Sequence, residues 1–302
     1  MILHPEVRKW LQFLESGGSS GDEILSVSSI RKEMDMGSTG IRPDVRVEDI
    51  EIPMPDRQLE ARHYSLLENR HALLFLHGGG FIAGNLDMYD ALCSTLTIAT
   101  GMDVFSLDYR LAPENRFPAA LEDAYRTVQW LSSEGYDEIS VVGDSAGGNI
   151  AAALCIMIRN RQGARLYRQV LVYPATNMLD ISISMLEFSE GYGLKMKEAV
   201  WFSEQYVRDM EERLNPYASP LLEMDLSGLP DALIITAEYD ILRDQGEEYA
   251  KKLLLAGNRC TSLRLLGTVH GFLSMNPSLS PCREAVGAIA AFLGRGAYYA
   301  KI

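Results

Sequence analysis

One stretch constrains this chain more than any other: Val141-Val142-Gly143-Asp144-Ser145-Ala146-Gly147-Gly148-Asn149-Ile150-Ala151-Ala152-Ala153. An apolar run enters Gly-x-Ser-x-Gly and leaves it as an Ala-rich segment, which reads as a strand turning directly into a helix. Side chains on either flank of so sharp a turn would collide, and Gly143 and Gly147 remove them, lifting the Ser145 hydroxyl above the sheet. The helix N-terminus adds partial positive charge near that hydroxyl, and the Ala146 amide can point at a developing oxyanion. Gly-x-Ser-x-Gly also occurs in ordinary turns. The strand before it and the helix after it favour the strained elbow.

The remaining chain supplies a sheet for such an elbow. Val45–Ile52 and Leu59–Tyr64 read as an opening antiparallel pair with a turn around Pro55-Asp56. Six short apolar runs then alternate with helical stretches: Ala72–Leu76, Val104–Leu107, Ile139–Val142, Val170–Tyr173, Leu233–Ala237 and Leu263–Leu266. Continuous apolar runs mark strands buried on both faces, and intervening helices make right-handed crossovers. The expectation is an α/β fold: an eight-stranded, mostly parallel sheet with helices on both faces. Before it, Leu3, Val7, Trp10, Leu11 and Leu14 fall on one helical face, a Gly/Ser joint follows at Gly17–Gly21, and Ile24, Val27, Ile30 and Met34 form a second amphipathic stretch ending near Gly37. About 55 residues separate the strand at Tyr173 from the one at Ala232, far more than a crossover requires. The expected organisation is therefore cap helices over 1–44 and a catalytic domain over 45–302. The segment inserted at about 178–214 is a candidate lid, with extra scaffold as the alternative.

Charge and composition exclude several functions. A net charge of -13 argues against nucleic acid and acidic lipid, which require clustered Lys and Arg. The start Met-Ile-Leu-His-Pro-Glu has no basic segment followed by an apolar one, and no run approaches the roughly 18–20 apolar residues of a membrane span. A cytoplasmic protein is expected. Cys93, Cys155, Cys260 and Cys282 are scattered without a Cys-x-x-Cys pair, so they read as buried thiols, and neither a metal nor a cofactor is indicated.

A serine nucleophile needs a base, usually His, held by an acid. In elbow-bearing sheets these follow the serine in the order acid, then His. Of His4, His63, His71, His77 and His270, only His270 lies after Ser145; it sits in a Gly-flanked loop past the last strand. For the acid, Glu238, Asp240 and Asp244 all follow the strand at Ala232–Ala237. Asp240 is best placed, Glu238 falls at the strand end, and Asp244 falls near the start of the next helix as a support. The competing reading of Asp240 is a cap on that helix, and the chain order favours the acid. His77-Gly78-Gly79-Gly80-Phe81 follows directly on a strand, and its glycines free the backbone to present amides. The expected oxyanion donors are Gly78, Gly79 and Ala146, with His77 as a structural anchor. No phosphate-loop or dinucleotide fingerprint competes for this glycine run.

These residues resemble the hormone-sensitive-lipase-like esterases of the α/β-hydrolase superfamily. The resemblance is carried by His77–Phe81, Asp108–Glu114, Phe117–Ala120, Gly143–Asn149, Asn215–Pro220, Gly228–Pro230, Ala237–Asp244 and His270–Phe272, in order along the chain. It implies a carboxylesterase in which Ser145, His270 and Asp240 form a triad, Gly78, Gly79 and Ala146 hold the oxyanion, and a helical cap closes over a small-molecule ester. It also implies a structural role for Tyr109–Glu114. Amidase or deacetylase chemistry on acetylated small molecules would use the same parts, and some relatives have become receptors by losing the His that is kept here. Relatives often dimerise through the last strand, so a homodimer through Thr261–Leu266 is open. Ile241 stands where the family usually has Pro, and the stretch before Ala72 matches weakly.

Overall fold

Ala72-Leu73-Leu74-Phe75-Leu76 is fully buried, and in the computed structural model it lies inside an eight-stranded sheet. The structure describes residues 2–16, 25–34, 40–66 and 70–294. The strands are β1 (Arg46–Pro53), β2 (Gln58–Ser65), β3 (His71–Leu76), β4 (Asp103–Leu107), β5 (Glu138–Asp144), β6 (Leu166–Val172), β7 (Asp231–Tyr239) and β8 (Cys260–Val269), in the order β1-β2-β4-β3-β5-β6-β7-β8. β1 pairs antiparallel with β2, and β2 with β4; every other pair is parallel.

The period-two alternation of strands divides the core into two layers. Leu74, Leu76, Val141, Leu171 and Ile234 pack with α4 (Ala119–Ser133), α5 (Ala146–Arg161) and α9 (Arg243–Leu255). Their neighbours Leu73, Phe75, Val142, Val170, Val172, Leu233 and Ile235 pack with α3 (Leu86–Thr100) and α11 (Ser280–Leu293). Burying each such side chain contributes about 1.5–3 kcal/mol, which is why both faces are covered. The Asn85 side chain caps α3 by accepting the Met88 amide.

A third apolar cluster sits over the loops after β7 and β8. It joins Val7 and Leu11 of α1 (Pro5–Ser16) to Met185 and Phe188 of the β6–β7 insertion and to Tyr239, Ile241, Leu242 and Val269. The insertion holds α6 (Ile183–Glu187), α7 (Met196–Tyr206) and α8 (Met210–Leu214). On the other flank α2 (Val27–Met34) is tied down by Arg31, which donates to the Ile82 and Ala112 carbonyls and pairs with Glu114. Ile241, in the place of the family's Pro, is buried in the third cluster, and its carbonyl accepts the Ser184 hydroxyl at 3.1 Å. The joint at 17–21, Ile24, Gly37 and the side chain of Leu14 lie outside the described residues.

The strands outrun their apolar runs, β6 and β8 the furthest. β6 starts at Leu166 and β8 at Cys260, where Tyr167, Thr261, Ser262 and Arg264 are exposed. β8 is an edge strand, paired among the described residues with β7 alone, and its first half lies largely exposed. Three of the four cysteines are buried, and Cys260 is half-buried. Burial pushes all four thiols up. Among the described residues no helix is long and apolar enough to cross a membrane, and no group of three or more His, Cys, Asp or Glu could hold a metal ion.

Candidate active site

β5 ends at Asp144 and α5 begins at Ala146, so Ser145 alone makes the turn. It does so at φ 55° and ψ -116°, a strained conformation for a residue with a Cβ. The strain is held by the Ser145 amide, which donates to the Val172 carbonyl at 2.9 Å, and by the Ser145 carbonyl, which accepts from the Asn149 and Ala175 amides. A Cβ on Gly147 would run into the Leu76 carbonyl of β3, so only glycine lets the turn pass the neighbouring strand.

The loops after β7 and β8 bring Asp240 and His270 to Ser145. His270 Nε2 lies 2.8 Å from Ser145 Oγ, and His270 Nδ1 lies 2.8 Å from Asp240 Oδ2. A carboxylate only accepts, so Nδ1 carries the proton and Nε2 accepts the Ser145 hydroxyl. Asp240 is 1% exposed, and its other oxygen accepts the Leu242 amide at 2.9 Å. Capping the following turn and holding His270 are thus jobs of two different oxygens of one side chain. Glu238 and Asp244 stand outside this line. Glu238, at the end of β7, accepts the Gly267 amide at 2.6 Å, and Asp244, in the first turn of α9, accepts the Ser184 amide of the insertion at 2.8 Å.

The oxyanion loop departs from expectation at one residue. The Gly78 amide donates to Asp144 Oδ1 at 2.8 Å and to the Tyr89 hydroxyl at 3.1 Å, so it is already committed and cannot serve as an oxyanion donor. Among the described residues, the amides of Gly79, Gly80 and Ala146 donate no hydrogen bond. The available set is therefore Gly79, Gly80 and Ala146, with Gly80 replacing Gly78. Gly79 adopts φ +120°, and a Cβ there would strike the Ala83 carbonyl, which accounts for glycine at the bend.

His77 anchors this loop. It is wholly buried, and burial lowers it to about 4, so it is neutral at physiological pH. Its Nδ1 donates to the Gly78 carbonyl at 2.7 Å, its ring stacks on Tyr109 at 4.2 Å, and Tyr109 donates its hydroxyl to the His77 carbonyl at 2.7 Å.

A family profile described as the α/β-hydrolase fold matches residues 73–274. The chain belongs to that family. The carboxylic ester hydrolase LipN of Mycobacterium tuberculosis is 38% identical over 91% of this α/β hydrolase and 78% of its own length. The arylesterase of Saccharolobus solfataricus is 34% identical over 96% and 98%. The solved structure of a hyperthermophilic esterase from the archaeon Pyrobaculum calidifontis is 39% identical, covers 99% of this chain and 100% of its own, and superposes with a TM-score of 0.87. The resemblance to the hormone-sensitive-lipase-like esterases is borne out.

Other features of this α/β hydrolase carry little or no signal in the sequence. Phe202 of α7 packs against Gly80 so closely that a Cβ there would meet its ring at 2.6–2.9 Å, and Tyr206 stacks on Phe81 at 3.9 Å. α7 therefore lies on the oxyanion loop. The Tyr109–Glu114 stretch is structural: Arg110 and Arg57 both pair with the buried Asp123. Asn149 donates to the Ala218 carbonyl at 2.8 Å, fastening α5 to the end of the insertion. Asp144, Tyr89 and Tyr173 form a buried network beside Ser145. The acid inside Gly-Asp-Ser was its one sequence signal.

Proposed function

We propose that this α/β hydrolase is a carboxylesterase for small, short-acyl esters, working through Ser145, His270 and Asp240. One observation carries the reading: the unbroken hydrogen-bonded line from Asp240 through His270 to Ser145, with 2.8 Å at each step. The names of its relatives, carboxylic ester hydrolase and arylesterase, support the same chemistry. His270 takes the Ser145 proton as Oγ attacks the ester carbonyl, and Asp240 steadies the imidazolium. The carbonyl oxygen, now an oxyanion, is received by the Gly79, Gly80 and Ala146 amides, each donor contributing about 2.7–4 kcal/mol to the transition state. His270 protonates the leaving alcohol, then activates water, which releases the acid from the acyl-enzyme. This scheme uses no cofactor.

α1, α2 and the inserted α6–α8 act as a cap in this reading, since the third apolar cluster bridges α1 and α6 to the loops of Asp240 and His270. Phe202 of α7, packed on Gly80, gives that cap a wall against the oxyanion loop, which favours acyl chains from acetyl to about hexanoyl. A homodimer, if formed, would add its second copy at the β8 edge. The test is hydrolysis of p-nitrophenyl esters from acetyl to palmitoyl. Activity should peak at short chains. Rates rising steadily to palmitoyl would overturn the short-acyl reading. Cleavage of amides or acetylated sugars with no p-nitrophenyl ester turnover would move the same machinery to amidase or deacetylase work.

A further inference from the structure

Asp144 precedes the nucleophile, and its hydrogen bonds run to other parts of the site. The residue is 2% exposed. Oδ1 accepts the Gly78 amide at 2.8 Å, while Oδ2 accepts the Tyr89 hydroxyl at 3.2 Å and the Tyr173 hydroxyl at 3.4 Å. Each donor belongs to a different element. Gly78 opens the oxyanion loop, and Tyr89 comes from α3. Tyr173 follows β6; its ring lies 4.7 Å from that of His270, and its hydroxyl accepts the Leu273 amide just past the base. One carboxylate therefore joins the oxyanion loop and the base loop to the strand that ends in Ser145.

Resting on the esterase reading above, we propose that ionised Asp144 is a positioning residue that sets the oxyanion loop and the base loop relative to Ser145, and that its protonation releases that setting. By taking the Gly78 amide, the carboxylate fixes the first peptide of the loop, and the planar peptides that follow leave the Gly79 and Gly80 amides unengaged. An ionised carboxylate is acceptor-only and satisfies all three donors at once. A protonated one carries an O–H of its own into a ring of three donors, so one of them loses its acceptor inside a buried site. Oxyanion donors act through pre-set position, and a displacement of about 1 Å can cost roughly 10²-fold in rate.

The electrostatics of the site agree with this geometry. Burial raises the Asp144 carboxyl to about 6, while the Gly78 amide, the His270 charge and the two hydroxyls pull it back. The titratable groups facing it are Tyr89 and Cys93 from α3, Tyr109 after β4, Tyr173 after β6 and His270 after β8. Burial pushes the three phenols and the thiol up, so they stay neutral across the working range. Ionised Asp144 also favours the imidazolium that His270 becomes during acyl transfer.

The experiment compares wild type with Asp144→Asn, following kcat and KM for p-nitrophenyl butyrate and, in parallel, the rate of Ser145 labelling by a fluorophosphonate, from pH 4.5 to 8.5. Two groups must lose protons in wild type, so log(kcat/KM) should fall on the acid side with a limiting slope of two. In Asp144→Asn the slope should become one, with kcat lowered at least tenfold at pH 8 and KM held within threefold. A residue that served only stability would lower the yield of active sites without changing that slope. If Asp144→Asn does not fold, Tyr173→Phe takes its place. It removes one donor to the carboxylate, favouring the protonated form, so the acid limb should move to higher pH. A wild-type slope of one, a wild-type kcat in Asp144→Asn, or an unmoved acid limb in Tyr173→Phe overturns the proposal. If wild type labels but cleaves no ester, the esterase reading fails, and the pH dependence of labelling still decides the role of Asp144. If it neither labels nor cleaves, both fall together.

Discussion

Asp240→Asn separates the two jobs of one side chain. One carboxylate oxygen accepts the Leu242 amide at 2.9 Å and the other accepts from His270 Nδ1 at 2.8 Å. A carboxamide has one oxygen and one NH₂ to offer these two donors. With its oxygen on Leu242 the turn survives, and the NH₂ meets Nδ1. The imidazole must then carry its proton on Nε2, aimed at Ser145 Oγ, where it can no longer accept the hydroxyl proton. The same substitution in a serine-protease triad lowers kcat about 10⁴-fold, equivalent to about 5.5 kcal/mol of transition-state stabilisation at 1.36 kcal/mol per tenfold. KM should change little, since Asp240 is buried behind the base and meets no substrate. The opposite orientation keeps the base but sets NH₂ against the Leu242 amide, at about 1–3 kcal/mol of stability. The assay is kcat for p-nitrophenyl butyrate with thermal melts on the same preparations. A melting temperature within a few degrees and a kcat some 10⁴-fold down is expected. A variant that keeps both its melting temperature and a kcat within tenfold of wild type would refute the reasoning.

Gly147→Ala places a Cβ on the Leu76 carbonyl, so the elbow cannot close, and little folded, active protein should be recovered. A purified variant with wild-type turnover would contradict that. Asp123→Ala leaves Arg57 and Arg110 without their shared buried carboxylate; because both guanidiniums keep some water, the loss should lie near about 3 kcal/mol in urea unfolding, and a loss under 1 kcal/mol would count against a structural role. The carboxyl of Asp144 is raised to about 6 from its ordinary 3.8, so the native state holds this proton longer than the unfolded chain does. The stability that this group contributes is full below about pH 4 and is lost as pH rises through 6, so Asp144→Asn should gain on wild type by up to roughly 3 kcal/mol between pH 4 and 7. Urea melts at both pH values check it; a constant difference, or one of the opposite sign, would contradict it.

The elbow, the eight strands and the order acid-then-base were legible because local patterns encode them. Val141–Ala153 states a strand, a turn and a helix in one stretch, and His270 is the one histidine after Ser145. Strand ends were less legible. β8 forms from Cys260 onward although Thr261, Ser262 and Arg264 are polar, because an edge strand is fixed by its partner β7 rather than by burial. The oxyanion loop shows a different limit. Three consecutive glycines look equivalent in sequence, and which amides remain available depends on a carboxylate 66 positions away. Nor could spacing say that Asp244 would hold Ser184 of the insertion or that Phe202 would cover Gly80. Such contacts arise from packing, where a long-range neighbour decides what a local pattern permits.

The most direct measurement is covalent labelling of wild type and Ser145→Ala with a fluorophosphonate, mapped by peptide mass and read beside hydrolysis of p-nitrophenyl butyrate. Wild type should take up one label per chain on the peptide holding Ser145, losing ester turnover in proportion. Ser145→Ala should take up none and cleave slower by on the order of 10⁶-fold. Label on another residue, or Ser145→Ala turning over at the wild-type rate, would contradict the triad.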